Sequence, residues 1–151
     1  MQRPLLARDM MKTNLVTLSP EMNVFDAIDV LLKRHISGAP VVEGDQKFLG
    51  MFSEKSCLEF ILAASYDGMP GAELMNFVNR EHPTINEETD MLTIAQTFLD
   101  SSCRRLPILR NGRLLGQISR RDLIAAVQES LRWKVQPPIK GLYLSAVQTE
   151  E

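Results

Sequence analysis

The segment GQISRRDL, residues 116–123, places a hydroxyl side chain and a carboxylate three positions apart, just before an apolar run. Ser119 and Asp122 in this spacing are typical of a capping box, in which each side chain bonds to the other residue's backbone N–H at the start of a helix. A helix N-terminus with a hydroxyl and a carboxylate can also hold a ligand. The segment therefore predicts a helix start and leaves open whether it binds a ligand.

Basic residues surround this segment. Six arginines and no acidic residue lie from Arg104 to Arg121, although the net charge of the chain is -2. Arg120 and Arg121 fall in the first turn of the predicted helix, where cations oppose the helix dipole, and a phosphate partner would explain their placement. A solvated charged face and a nucleic-acid surface are the alternatives. The stretch contains no aromatic residue that could stack on bases.

The sequence shows no nucleophile, general base and orienting residue at a spacing that indicates catalysis, so we predict that the protein is not an enzyme. Cys57 and Cys103 form no CxxC pair and have no histidine at metal-ligand spacing, so no metal site is expected. The sequence also lacks a signal peptide and the roughly 20 apolar residues of a membrane span. We expect a cytoplasmic protein with no membrane partner.

The elements that position these residues occur twice in the chain. Apolar residues step i, i+3, i+4, i+7, i+8 from Val24 and again from Met91, which predicts two amphipathic helices. Asn23 and Asp90 stand at equivalent positions as predicted N-caps. Downstream, GAPVV corresponds to RLPIL, and KFLG to RLLG. This internal similarity predicts two structural units of one kind.

Each unit is predicted to run strand, helix, strand, strand, helix. LVTLSP and HPTINE supply the first strands, the turns EGDQ and RNG close the hairpins, and the second helices begin at Ser56 and Asp122. The predicted boundaries are residues 9–64 for repeat 1, 65–71 for a linker, 72–132 for repeat 2 and 133–151 for a C-terminal tail.

The leaders DMM and ELM, the amphipathic helix, the strands GAPVV and RLPIL, the hairpin and the closing G-x-x-S occur twice in this order. The series resembles the tandem cystathionine-β-synthase (CBS) domain pair, or Bateman module, over roughly residues 9–132. The resemblance implies an α+β fold of two β-α-β-β-α units with pseudo-two-fold symmetry, sheets packed together and helices outside. It also implies a homodimer, for which the expected contacts are Phe60, Ile61, Ile124 and Val127.

The resemblance further implies two clefts between the repeats, which bind adenosine-containing ligands in many members. In a competent cleft Ser or Thr is followed three residues later by Asp, whose carboxylate accepts from both ribose hydroxyls. Ser119 and Asp122 fit this pattern, whereas the first repeat has Ser56 in place of the acid. By analogy, each cleft also draws on the start of a strand of the other repeat, where Gly38 allows close approach.

The residues predicted for the Asp122 cleft are Ser119, Asp122, Arg120, Arg121, Ile118, Lys12, Thr13, Val16, Ile36, Ser37, Gly38, Ala39 and Pro40. The residues predicted for the Ser56 cleft, which the missing acid puts in question, are Ser53, Ser56, Arg104, Arg105 and Leu106.

These expectations favour a stand-alone regulatory module that binds AMP, ADP or ATP and signals to a partner protein whose identity the sequence does not give. S-adenosylmethionine ranks behind the nucleotides, and no obligatory cofactor is predicted. A dimerisation scaffold without a ligand is the first alternative, because an acid is missing at Ser56. Nucleic-acid binding through the arginines from Arg104 to Arg121 is the second.

Overall fold

The computed structural model describes residues 4–67 and 71–131. The first half contains α1 (Ala7–Met10), α2 (Val24–Arg34), β1 (Gly38–Glu43), β2 (Lys47–Ser53) and α3 (Glu54–Asp67). The second half contains a 3-10 helix (Leu74–Phe77), β3 (Ile85–Asn86), α4 (Met91–Asp100), β4 (Arg105–Arg110), β5 (Arg113–Ser119) and α5, which is described over residues 120–131.

The five strands form one sheet in the order β1-β2-β5-β4-β3. Each hairpin pairs in antiparallel fashion along its length, but β2 and β5 share only the pair Lys47 and Arg113. The predicted α+β fold of two repeated units is confirmed. The two sheets expected to pack together are joined at this single pair into one sheet.

The helix starts follow from local hydrogen bonds, as predicted. The Asn23 side chain accepts from the Asp26 N–H at 2.9 Å, and the Asp90 side chain accepts from the Thr93 N–H at 2.8 Å. Each bond satisfies a backbone donor that has no partner within the first helical turn. Both N-cap predictions are therefore confirmed.

The apolar stripe of α2 and α4 is narrower than its spacing predicts. Val24 and Ile94 are fully buried, but Leu32 and Leu99, the i+8 residues of the two helices, are 69% and 80% exposed. At 100° per residue, position i+8 lies about 80° around the helix from position i, at the edge of the buried face. The expectation that both leucines face the core is therefore wrong.

Several predicted boundaries shift in the structure. The second helices begin at Glu54 and at residue 120, two residues before the predicted Ser56 and Asp122. LVTLSP forms only an isolated bridge between Leu18 and Val41, because Pro20 has no N–H with which to extend the parallel ladder. Helix α3 continues to Asp67, so the first three residues of the predicted linker are helical. The predicted tail, residues 133–151, lies outside the described residues.

From here on, the first and second leaders are residues 4–12 and 72–82, which contain DMM and ELM. Each repeat has its own hydrophobic core, and each core contains part of the other repeat's leader. Leu74 from the second leader packs in the core of the first repeat with Phe52 and Phe60, while Ala7 and Met10 from the first leader pack in the core of the second repeat. The two leaders thus exchange partners across the pseudo-two-fold axis. This exchange brings the N-terminal segment beside the start of α5.

Candidate ligand-binding clefts

Ser119 and Asp122 form a reciprocal pair at the start of α5. The Asp122 carboxylate accepts from the Ser119 N–H at 3.0 Å, and the Ser119 hydroxyl accepts from the Asp122 N–H at 3.0 Å. Both bonds belong to the predicted capping box, which is confirmed. They also fix the carboxylate in one orientation, with one oxygen bonded to Ser119 and the other directed elsewhere.

Lys12 forms an ion pair with the second carboxylate oxygen of Asp122. Its Nζ lies 3.2 Å from Asp122 Oδ1, and the Lys12 side chain is 72% exposed whereas that of Asp122 is 15% exposed. The leader reaches this position because Lys12 and Gln117 exchange two backbone hydrogen bonds, of 2.9 and 3.0 Å. The structure therefore brings together Lys12, Ser119 and Asp122, three residues that the sequence predicts for one cleft.

The environment of Asp122 sets its charge. Burial raises the pKa of this carboxyl, but hydrogen bonds from Ser119 and Lys12 outweigh burial, and the pKa lies below its ordinary value of 3.8. Asp122 is therefore ionised at neutral pH. A fixed anion at the start of a helix is a suitable acceptor for hydroxyl donors.

This shifted pKa predicts a pH dependence of stability. A carboxyl whose pKa is lower in the folded state stabilises the fold above its unfolded pKa, and this contribution is lost as the pH falls through the folded pKa. We expect wild type to have a larger free energy of unfolding than Asp122→Asn at neutral pH, and the difference to shrink below pH 3.8. Urea unfolding at a series of pH values measures it. A difference that does not change with pH would contradict the assignment.

The start of β1 is not free in the structure. Arg105, predicted for the Ser56 cleft, donates from Nη1 to the Gly38 carbonyl and from Nη2 to the Ser37 hydroxyl, both at 2.9 Å. Ser37 and Gly38 are predicted for the Asp122 cleft, so one arginine joins residues assigned to the two clefts. Burial and the charge of Arg104 lower the pKa of Arg105, and the charge of Asp122 acts in the opposite direction without outweighing them.

The Ser56 position differs from Asp122 as the sequence predicts. Ser56 is 4% exposed, and its hydroxyl accepts from the Ser53 N–H at 3.1 Å, which corresponds to one of the two bonds between Ser119 and Asp122. Within residues 4–67 and 71–131, no second bond from Ser56 completes a reciprocal pair. A hydroxyl here has no charge and no second oxygen to offer a ribose.

The segment of the second leader around Asn79 pairs with β2 of the first repeat, a contact that the sequence did not predict. Asn79 exchanges two backbone bonds with Met51, of 2.8 and 3.0 Å, as Lys12 does with Gln117. His82 follows in the same segment and is half-buried; burial lowers its pKa, and so does the charge of Arg105. The alignment of Gly50 with Gly116, the residues before Met51 and Gln117, could have located this leader.

The remaining predicted residues divide by burial. Ala39, Pro40, Leu106 and Ile118 are buried, so their side chains belong to the cores, and only their backbone lies near the strand ends. Val16 and Ile36 are partly buried. The side chains exposed to solvent are Thr13, Arg104, Arg120 and Arg121.

The arginines from Arg104 to Arg121 do not form one surface. Arg110 makes two bonds to the Glu87 carboxylate, of 2.7 and 2.8 Å, and Arg113 pairs with Asp45 at 2.8 Å. A surface hollow of about 530 Å³ lies between these two arginines and Leu115, away from Asp122. Arg110 and Arg113 are therefore paired with acids, whereas Arg104, Arg120 and Arg121 are exposed near the start of α5. This division weakens the case for one continuous nucleic-acid surface.

Among the described residues, no group of three His, Cys, Asp or Glu side chains is placed to hold a metal ion. In the same part of the chain, no helix has the length and apolar character needed to cross a membrane.

Two repeated α+β units with a shared sheet, exchanged leaders and an ordered carboxylate at a helix start define a tandem-repeat module. The family model for the CBS domain matches residues 7–63 and again residues 73–129. The chain therefore belongs to the CBS domain family, and the predicted family is confirmed.

Known relatives agree with this assignment. An A-adding tRNA nucleotidyltransferase of Aquifex aeolicus is 28% identical over 127 residues, which are 84% of this chain but only 15% of that protein. CBSX2 of Arabidopsis thaliana in complex with AMP has a TM-score of 0.75 at 22% identity, over 84% of this chain and 98% of that one.

The CBS domain pair of protein MJ0100, in complex with 5'-methylthioadenosine and S-adenosyl-L-methionine, has a TM-score of 0.70 at 16% identity. The match covers 85% of this chain and 99% of that one. At these identities the two solved structures show a shared fold.

Proposed function

We propose that this chain is a regulatory CBS-pair module that binds an adenine nucleotide in the Asp122 cleft and passes its bound state to a partner protein. The observation that carries the proposal is the Asp122 carboxylate, which Ser119 orients and Lys12 contacts through its other oxygen. A ribose offers two vicinal hydroxyl donors to such a carboxylate. Lys12 lies against Asp122, and Arg120 and Arg121 are the first residues of the same helix, so three cations near the helix start suit a phosphate group. The Arg120 Nε donates to the Cys103 carbonyl at 3.2 Å.

Two structural neighbours support the ligand class. One of them is in complex with AMP and the other with 5'-methylthioadenosine and S-adenosyl-L-methionine, and all three ligands contain an adenosine unit. Because Lys12 adds a cation beside Asp122, we place the nucleotides AMP, ADP and ATP ahead of S-adenosylmethionine. Regulation by binding, and no catalysis, is the role that we assign to the chain, with cytoplasmic location as part of this proposal.

A thermal-shift panel tests the proposal. AMP, ADP, ATP, S-adenosylmethionine, cyclic dinucleotides and a short RNA are each added to the purified chain. A ligand present at about 100 times its Kd adds about 2.7 kcal/mol to the free energy of unfolding, so a nucleotide that binds raises the melting temperature. We expect at least one adenine nucleotide to do so. A panel in which none of the ligands changes the melting temperature would contradict nucleotide binding.

A dimerisation scaffold remains the second candidate, because apolar side chains are exposed on the last helix of each repeat. Ile61 on α3 is 55% exposed and Ile124 on α5 is 68% exposed. Phe60, which we also expected at a dimer contact, is instead 5% exposed and packs edge-on against Phe25 and Phe77. The thermal-shift panel distinguishes the two candidates, because an adenine nucleotide raises the melting temperature of a nucleotide sensor but not that of a scaffold without a ligand.

A further inference from the structure

The Arg105 side chain crosses from the second repeat to the first. Its guanidinium bonds to the Ser37 hydroxyl and the Gly38 carbonyl, although Arg105 begins β4. The alignment of ISGAPVV with CRRLPIL places Arg105 at the position of Gly38. The start of β4 therefore carries a long cationic side chain, whereas the start of β1 carries no side chain at the equivalent position. The two predicted clefts are for this reason not equivalent.

The guanidinium lies among the elements that surround Ser56. The Ser37 carbonyl accepts from the N–H of Glu54, the first residue of α3, and Gly38 is paired with Ser53 across the hairpin. His82, from the leader that pairs with β2, is close enough for the charge of Arg105 to act on it. The start of β1, the start of α3 and the second leader thus each contribute one neighbour to the Arg105 side chain.

The Arg105 guanidinium is partly buried without an ion-pair partner among the described residues. Glu54 and Asp122 act on it through their charge alone, and the neighbouring Arg104 repels it. Its two hydrogen bonds to uncharged oxygens therefore hold it in place. Because an arginine stays charged in proteins, both bonds are donated by a cation.

We propose that Arg105 closes the Ser56 cleft from within, so that the chain takes a nucleotide at Asp122 alone. This inference rests on the proposed function. Ser56 lacks the acid that a ribose needs, and the Arg105 guanidinium separately lies beside the start of α3, because Ser37 bonds to Glu54 and Gly38 pairs with Ser53. Arg105 also holds the Ser37 hydroxyl and the Gly38 carbonyl, which the sequence assigned to the Asp122 cleft, so a nucleotide at Asp122 binds without these two groups. Because the two features are independent, restoring the acid at Ser56 does not by itself open the cleft.

Calorimetric titration of four proteins tests this inference, with AMP, ADP and ATP titrated separately. Wild type and Ser56→Asp are expected to bind one nucleotide per chain. The double variant Ser56→Asp/Arg105→Ala is expected to bind two. The matched control Ser56→Asp/Arg104→Ala removes the same charge from the exposed neighbouring side chain, and it is expected to bind one.

The outcomes separate this inference from the proposed function. Two bound nucleotides per chain in Ser56→Asp, or in the Ser56→Asp/Arg104→Ala control, would overturn the role of Arg105. One bound nucleotide in a folded Ser56→Asp/Arg105→Ala protein would also overturn it, provided that wild type binds one. No binding by wild type but one site in the double variant would overturn the proposed function and support the closure. No binding by either protein would overturn both.

A ligand-free measurement tests the closure itself. Ser37→Ala removes the hydroxyl that accepts from Arg105. We expect Ser37→Ala to lower the melting temperature in wild type and to lower it by less in an Arg105→Ala background, because the bond is already absent there. Equal shifts in the two backgrounds would show that the bond does not hold the guanidinium, and would overturn the inference.

Discussion

Asp122→Ala is expected to weaken nucleotide binding by about 1.5 to 3 kcal/mol, or roughly 10- to 150-fold in Kd, because two ribose hydroxyls lose a charged acceptor. The unliganded protein is expected to lose about 1 kcal/mol of stability, since the Ser119 N–H loses its cap. Calorimetry with AMP, ADP and ATP, together with urea unfolding of the free protein, measures the two effects separately.

Asp122→Asn is the matched control for this prediction. The amide oxygen still accepts from the Ser119 N–H, so most of the cap is retained, but the charge and one acceptor oxygen are lost. We expect this variant to lose nucleotide affinity almost as much as Asp122→Ala while losing less stability. If wild type binds a nucleotide and Asp122→Ala binds it equally well, the segment GQISRRDL is a capping box only, and the ligand lies elsewhere.

Gly50→Ala is expected to be the most destabilising of the single changes considered, at about 2 to 6 kcal/mol. A Cβ at Gly50 would lie 2.6 Å from the Asn79 carbonyl oxygen and 2.6 Å from Val78 Cγ1, and the φ angle of +149° is one that residues with side chains rarely adopt. The Asn79 carbonyl cannot retreat without losing its bond to the Met51 N–H. Urea unfolding measures the change in the free energy of unfolding.

Gly44→Ala separates the effect of backbone strain from the effect of the steric clash. Gly44 also has a positive φ, of +53°, but no atom lies within 4 Å of a Cβ placed there. This variant is expected to cost only about 1 to 2 kcal/mol, from backbone strain alone. Equal destabilisation by the two variants would mean that contact with the second leader contributes nothing to the need for glycine at Gly50.

Features that depend on neighbours in the sequence could be predicted from it. The N-caps Asn23 and Asp90 and the reciprocal pair of Ser119 and Asp122 each join atoms three residues apart, so residue type and spacing are sufficient. The hairpins follow from turn residues such as Asn111 and Gly112, both of which have positive φ. The repeat follows from comparing the chain with itself. The order of its motifs resembles the CBS pair, and the family model matches both halves.

The partners of each leader depend on the tertiary structure. Lys12 pairs with β5 of the second repeat, and Asn79 pairs with β2 of the first repeat. The backbone groups of the two strands offer chemically identical hydrogen bonds, so they do not determine this choice. A Cβ added at Gly50 or at Gly116 would lie 2.6 Å from a carbonyl oxygen of the leader that pairs there, so neither glycine indicates which leader it receives. Only the folding of the whole chain around its pseudo-two-fold axis selects the exchanged arrangement that puts Lys12 on Asp122.

Arg105 shows the same limit. A run of arginines in the sequence indicates charge but not direction, because a long side chain can reach partners on several elements. In the structure, Arg105 bonds to Ser37 and Gly38 across the axis, while Arg110 pairs with Glu87 on its own repeat. Local spacing therefore determines the capped helix starts and the turns, whereas long-range packing determines which side chains enter each cleft.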